Sequence, residues 1–202
     1  RIVGYYGSWS AYREGRGQCR IEDINANLCT HYIWSFLKIE DNKVAFNDDG
    51  DERNLRKFVR HIRSENSNAK VMAAIGGWTH SQGSEFSDMA FSMPNRQRFI
   101  TSVVKLMEKY DLNGIDIDWE FPGQEHRDYF VRLLQELYEA CCKKGKELSV
   151  AVAGSTITAN KAYDIAKISD NVDFVNLMAY DLNGHWDDYT KHHAGWWGSG
   201  YV

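Results

Sequence analysis

The sequence predicts an α/β fold built on a parallel β-sheet, and three observations carry that prediction. Short runs rich in β-branched and aromatic residues alternate with helical patterns from one end of the chain to the other. The residues with chemical potential sit at the C-terminal ends of the short runs, where parallel α/β sheets keep their sites. The length, 202 residues with 43% apolar, suits one domain with a real core and is too short for two ordinary ones. Right-handed strand–helix–strand crossovers then give a parallel sheet, closed or open.

The elements follow in order. Residues 2–6 are apolar and aromatic and form the first strand, followed by a Gly- and Arg-rich loop through Cys19. Residues 31–37 read as the second strand. The next segment, 53–62, places Leu55, Phe58, Val59 and Ile62 at three- and four-residue steps, the spacing of one helix face. The basic residues of 53–63 fall on its solvated side. Residues 71–75 form a strand ending in Gly76-Gly77. That pair lacks the third glycine and the following helix start of a dinucleotide fingerprint. Pro94 marks a helix start, with Phe99, Ile100, Val103, Val104 and Met107 as its apolar stripe. Residues 113–120 are a strand, 129–140 a helix, 148–153 a strand, 160–168 a helix and 174–179 the sixth strand.

Composition excludes several function classes. A net charge of −4 and a pI near 6.0 give no electrostatic basis for binding nucleic acid or an anionic membrane surface. No apolar run approaches the roughly 20 residues that span a bilayer. The chain begins at Arg1 directly in a strand, the start expected of a mature or excised form. His192 and His193 are adjacent, yet no spacing resembles a zinc site, and neither metal nor cofactor is expected. Ser8, Ser81 and Ser155 lack the glycine elbow of a serine hydrolase. Cys19 and Cys29 lie ten residues apart around a short turn, a spacing that suits a small disulfide loop. Cys141 and Cys142 are adjacent on a helix, point about 100° apart and read as packing residues. Most of the seven Trp and eleven Tyr belong to core packing. Flat rings also suit the apolar face of a pyranose in a sugar cleft.

The stretch Asn113-Gly114-Ile115-Asp116-Ile117-Asp118-Trp119-Glu120 spaces three carboxylates two residues apart inside an apolar run. Alternate side chains of a strand share a face, so Asp116, Asp118 and Glu120 project together, away from Ile115, Ile117 and Trp119. Gly114, Leu112 and Phe121 argue for burial and against a polar edge strand. Like charges gathered away from water are costly, so such a cluster keeps a proton near neutral pH, as a general acid requires. The pattern predicts a carboxylate active site at a strand's C-terminal end.

These residues, continued by Phe121-Pro122-Gly123, resemble the Asp-x-x-Asp-x-Asp-x-Glu signature of family 18 glycosidases, the chitinase group. Residues 1–12 are similar to that family's first strand and loop, and Cys29-Thr30-His31-Tyr32-Ile33-Trp34-Ser35-Phe36 to its second. Ala74-Ile75-Gly76-Gly77-Trp78 resembles the third, and Met178-Ala179-Tyr180-Asp181 the sixth. The resemblance covers essentially the whole chain. It implies a (β/α)8 barrel of TIM type as one domain over 1–202, with about six of eight strand–helix units present, since a full barrel takes about 250 residues. The missing units usually supply a Tyr–Arg pair and a Trp, and the run 195–202 does not resemble them. An open barrel edge of this kind invites self-association. Secretion is also implied; the disulfide that family members often form from the second-strand Cys to the first strand lacks its partner here, where Gly4 stands.

The implied activity is hydrolysis of β-1,4-linked N-acetylglucosamine chains, chitin or chito-oligosaccharides, by a substrate-assisted retaining mechanism outside the usual two-carboxylate scheme. Glu120 would protonate the departing oxygen while the substrate's 2-acetamido carbonyl attacks the anomeric carbon. Asp118 would hydrogen-bond the acetamide N–H, and Asp116 would share a proton with Asp118. Tyr180 would position the acetamido oxygen and Asp181 would contact the sugar. Trp9 and Trp78, the latter after Gly77, would stack on sugars, with Phe36 and Met178 lining the pocket wall. Asn113 stands where the signature's first Asp is expected and, at the other parity, reads as structural. Ala74 stands where Ser is frequent. The alternative from a different class is a chitin-binding lectin that keeps the cleft without turnover.

Overall fold

Six of the apolar runs form the strands of one parallel sheet in a computed structural model that describes residues 1–195. They are β1 (Val3–Gly7), β2 (His31–Glu40), β4 (Lys70–Gly76), β5 (Gly114–Asp118), β6 (Glu147–Ala153) and β7 (Phe174–Met178). A short strand β3 (Lys43–Ala45) pairs antiparallel with the end of β2. The helices are α1 (Asp49–Glu65), α2 (Gly77–His80), α3 (Glu85–Phe91), α4 (Met93–Lys109), α5 (Arg127–Lys143), α6 (Thr156–Ala162) and α7 (Ile165–Ser169). The spatial order β1-β2-β4-β5-β6-β7 never reverses. A doubly wound sheet would reverse and place helices on both faces. Here the sheet curls into a half-barrel.

Strand alternation separates two apolar layers. Outward-facing Tyr6, Trp34, Val71, Ile75, Ile115, Ile117 and Val150 pack with helix residues such as Leu55, Phe58, Phe99, Val103 and Leu134. Inward-facing Ile33, Met72 and Ala74 form a smaller cluster with Val3, Phe36 and Phe174. α1 begins at Asp48, whose carboxylate accepts the Asp51 N–H at 2.9 Å. α4 begins at Ser92, capping Asn95 at 3.3 Å, with Pro94 in its first turn.

The structure corrects the sequence reading in four places. A helical turn, α2, does follow the glycine pair, because positive φ at Gly76 and Gly77 bends the chain straight from strand into helix. The single helix expected over 160–168 is two. Tyr163 is extended between them with its hydroxyl on the Ala153 N–H at 3.1 Å, and Asp164 caps α7 at the Lys167 N–H. The small disulfide loop is absent: Cys19 and Cys29 are both free. The Cys19 thiol faces the Arg20 carbonyl at 3.9 Å, while Cys29 Sγ lies 2.9 Å from where a Cβ on Gly4 would stand. β3 was not foreseen, being only three residues long and paired with the tail of β2. The stretch 196–202 lies outside the described residues. Among those described, no helix is long and apolar enough to cross a membrane.

Candidate active site

The site is built where β4 and β5 end. Gly76 has φ +116°, and a Cβ there would stand 2.0 Å from the Asp118 carbonyl oxygen. Only glycine lets the end of β4 lie this close to the backbone that carries the acids. Gly77, at φ +75°, would place a Cβ 2.7 Å from the Phe36 ring. Together the two glycines turn the chain into α2 and leave the Trp78 ring 62% exposed.

Asp116 is completely buried on the inner face of β5. Its carboxylate accepts the Tyr5 hydroxyl at 2.9 Å, the Ser149 hydroxyl at 2.5 Å and the Asn176 amide at 3.1 Å. Asn176 also donates to the Tyr5 oxygen at 2.8 Å, joining the two edge strands through their side chains. Burial raises the Asp116 pKa and the three hydrogen bonds pull it back without cancelling the rise. These partners occupy both carboxylate oxygens, and among the described residues no hydrogen bond joins Asp116 to Asp118. β1, β6 and β7 supply these three donors.

Asp118, also buried, has Oδ1 without any hydrogen-bond partner. Its carboxyl is pushed up to about 8, first by burial, then by the charges of Glu120 and Asp116. It therefore keeps its proton near neutral pH. Glu120, one step beyond Trp119 at the end of β5, is half-buried. Burial raises it, the Asp181 charge adds to this, and the backbone N–H of Trp78 on its carboxylate lowers it again, leaving a net rise. Tyr180, 49% exposed, is raised by burial and by the nearby charges of Asp118, Glu120 and Asp181. Two neighbouring carboxyls that titrate above their usual range, beside an open face, are suited to giving and taking protons.

A cavity of about 600 Å³ is lined by Trp9, Phe36, Trp78, Asn47, Asp48 and His80 among others; Asp116, Asp118 and Glu120 do not line it, and it approaches them through Trp78. Trp9 stacks on Phe36 with ring centroids 6.0 Å apart and planes 16° from parallel. Trp9 is 48% exposed, so its ring remains open to a ligand. Met178 stands on the same face of β7 as Asn176, and Asp181 follows with φ +52°. Asn113 accepts the Val71 N–H at 2.9 Å on its side chain, fastening β4 to β5 away from the acids. Among the described residues no group of three or more His, Cys, Asp or Glu could hold a metal ion.

The structure thus gathers Asp116, Asp118, Glu120, Tyr180 and Asp181 at one end of the half-barrel, with Trp9, Phe36, Gly77 and Trp78 beside them. Sequence reasoning missed Tyr5, Ser149 and Asn176. For Ser149 and Asn176 the signal was a polar residue between two apolar ones in a strand, in Leu-Ser-Val and Val-Asn-Leu; nothing comparable marks Tyr5. It also missed the contact of the Ser81 hydroxyl with the Glu120 N–H at 2.9 Å.

Residues 1–199 match the model of glycosyl hydrolases family 18. The chain is 36% identical over 208 aligned positions to an endochitinase of Manduca sexta, an alignment covering 96% of this chain and 37% of that protein. It superposes with a TM-score of 0.90 and 32% identity on the Ostrinia furnacalis Group IV chitinase in complex with allosamidin, covering 95% of this chain and 54% of that one. Human YKL-39, described as a pseudo-chitinase with retained chitooligosaccharide binding, gives a TM-score of 0.86 at 30% identity over 92% of this chain and 52% of its own. The chain spans about half the length of these structures or less of the curated relatives.

Proposed function

Because the chain belongs to glycosyl hydrolase family 18, we propose that its site hydrolyses β-1,4-linked N-acetylglucosamine polymers, with chitin or chito-oligosaccharides as substrate. The observation that carries this reading is Asp118: buried, still protonated near neutrality, with an unpartnered oxygen next to a half-buried Glu120 whose pKa is also raised. In the first step Glu120 gives its proton to the glycosidic oxygen as that oxygen leaves the anomeric carbon. The substrate's own acetamide carbonyl oxygen bonds to the same carbon, forming an oxazolinium ion. The unpartnered Asp118 oxygen accepts the acetamide N–H and orients the group for that attack. Water then adds to the anomeric carbon, its proton passing to the Glu120 carboxylate, and the acetamide is restored. Asp116 holds Asp118's strand in place, Tyr180 meets the acetamide oxygen, and Trp9 and Trp78 form platforms for flanking sugars.

The test is turnover of a chromogenic chitobioside by the parent chain and by Glu120→Gln, beside binding of both to chitin beads. Glu120→Gln keeps shape but has no proton to give, so hydrolysis should fall by about 10²–10⁴-fold while binding persists. Equal turnover in both proteins would remove the reading. The binding-only alternative, a chitin lectin, is favoured by one specific observation: a structural neighbour of similar likeness is a pseudo-chitinase that binds chitooligosaccharides. Retention on beads with no turnover would select it.

Secretion belongs to the same reading and rests on the family resemblance. Self-association is supported by the outer face of β7, where Val175 and Leu177 are 44% and 62% exposed at the edge of the sheet. Size-exclusion of the parent and of Leu177→Lys should show a shift toward the monomer in the variant; a parent that elutes as a monomer overturns this part.

A further inference from the structure

Glu120 stands outside the sheet that positions the other two acids. The β5 ladder to β4 ends at the pair Gly76 and Asp118, and the ladder to β6 ends at Ile117 and Val150. The backbone of Glu120 is held instead by Ser81, the residue that closes α2. Ser81 Oγ accepts the Glu120 N–H at 2.9 Å and donates to the Asp118 carbonyl at 3.4 Å. The Trp78 backbone N–H of the same turn lies close enough to lower the pKa of the Glu120 carboxyl. One helical turn therefore holds the backbone of this residue, and the ring it exposes to the cavity is Trp78.

The chemistry at position 81 is demanding. The side chain must accept from one backbone group and donate to another across a gap that a short hydroxyl spans, which restricts it to Ser or Thr. We propose that Ser81 is a positioning residue for Glu120: by tying the acid's backbone to α2, it sets the reach of the carboxyl toward Trp78 N–H and toward the glycosidic oxygen. This rests on the reading of Glu120 as proton donor. It makes the turn Gly77–His80 and Ser81 a mechanical link between an aromatic sugar platform and the acid.

A structural role and a positioning role differ in what they move. The experiment follows the Glu120 carboxyl carbon by ¹³C NMR in the full chain labelled at glutamate side chains, with Glu120→Gln assigning the signal. Parent, Ser81→Ala and Ser81→Thr are titrated alongside chitobioside kinetics and thermal melting. In Ser81→Ala the carboxyl drifts from the Trp78 N–H that holds its titration down, so its midpoint rises; Ser81→Thr returns it to the parent position. kcat falls by about tenfold or more in Ser81→Ala with KM little changed, the signature of a misplaced acid. An unchanged Glu120 titration in Ser81→Ala overturns the proposal, including the case where only the melting temperature drops. Should Ser81→Ala fail to fold, Ser81→Cys, similar in size and a weak acceptor, gives the same comparison. A parent chain without turnover would sink the hydrolase reading alone, because the NMR titration judges Ser81 independently.

Discussion

The two ends of the half-barrel's inner face treat carboxylates in opposite ways. At the end where strands begin, Glu147, the first residue of β6, meets the first residues of two other strands, Lys70 of β4 and His31 of β2. The His31 contact is 3.1 Å, and the Arg1 guanidinium stands 3.7 Å away. Burial by itself raises this carboxyl, but the hydrogen bonds and charges of Lys70 and His31 outweigh it and hold Glu147 below its usual range. At the other end, among the described residues no cation stands beside Asp118, and its carboxyl is pushed up to about 8. Both acids sit on inward positions of adjacent strands. What differs is the layer: basic partners where strands start, a glycine and further acids where they finish. The first layer joins strand starts and serves stability; the last keeps protons in hand for chemistry, the division of labour expected of barrels.

The largest test of this contrast is kinetic. Asp118→Asn should slow hydrolysis of N-acetylated substrates by about 10²–10³-fold, and an oxazoline-like inhibitor should bind it more weakly. Glu147→Gln should leave kcat within about twofold, since no reacting atom lies near it. If Asp118→Asn loses activity yet binds the inhibitor as tightly as the parent, the role given to Asp118 is wrong.

Stability should respond to pH with opposite slopes at the two ends. The folded pKa of Asp118 lies above its ordinary value of 3.8, so the native state holds a proton that the unfolded chain has lost. Its contribution is fully present below about 4 and is lost as pH rises through about 8. The folded pKa of Glu147 lies below 4.5, so its contribution is present above that value and lost as pH falls. Denaturation from pH 4 to 8 should show Asp118→Asn gaining on the parent by about 5 kcal/mol. The penalty of Glu147→Gln should shrink below pH 4.5. Parallel stability curves for parent and Asp118→Asn would break the comparison.

Smaller effects sharpen it. Trp78→Ala or Trp9→Ala should weaken long oligosaccharides more than short ones, by about 1–3 kcal/mol. A loss independent of chain length in titration calorimetry would make these rings packing residues. At pH 7, Glu147→Gln should cost about 1–2 kcal/mol, read from urea midpoints, because it leaves Lys70 and His31 with a weaker partner in a half-open site.

Much of the fold was legible because its information is local. The period-two and period-3.6 patterns marked all six parallel strands and the long helices α1, α4 and α5. The break between α6 and α7 was not, since neither Gly nor Pro marks it; a tertiary contact of the Tyr163 hydroxyl with β6 does. The three acids were legible because they stand two residues apart in one short run, Asp116 and Asp118 on β5 and Glu120 just past its end. Their partners were not: Tyr5, Ser149 and Asn176 stand 111, 33 and 60 residues from Asp116, and only the order of strands brings them together. Ser81 was discounted for lacking the surroundings of a nucleophile, although its hydroxyl serves the backbone of Glu120.

The Asp116 network also sets a timetable for the newborn chain. Tyr5 leaves the ribosome long before Asp116, Ser149 follows 33 residues after it, and Asn176 only 60 residues after. At about 5–20 residues per second, the last donor trails the acid by about 3–12 s. For that interval β5 can pair with β4, but its central carboxyl has yet to meet the full set of donors that makes its burial tolerable. Until Asn176 of β7 is made, that carboxyl lacks the last of its three donors.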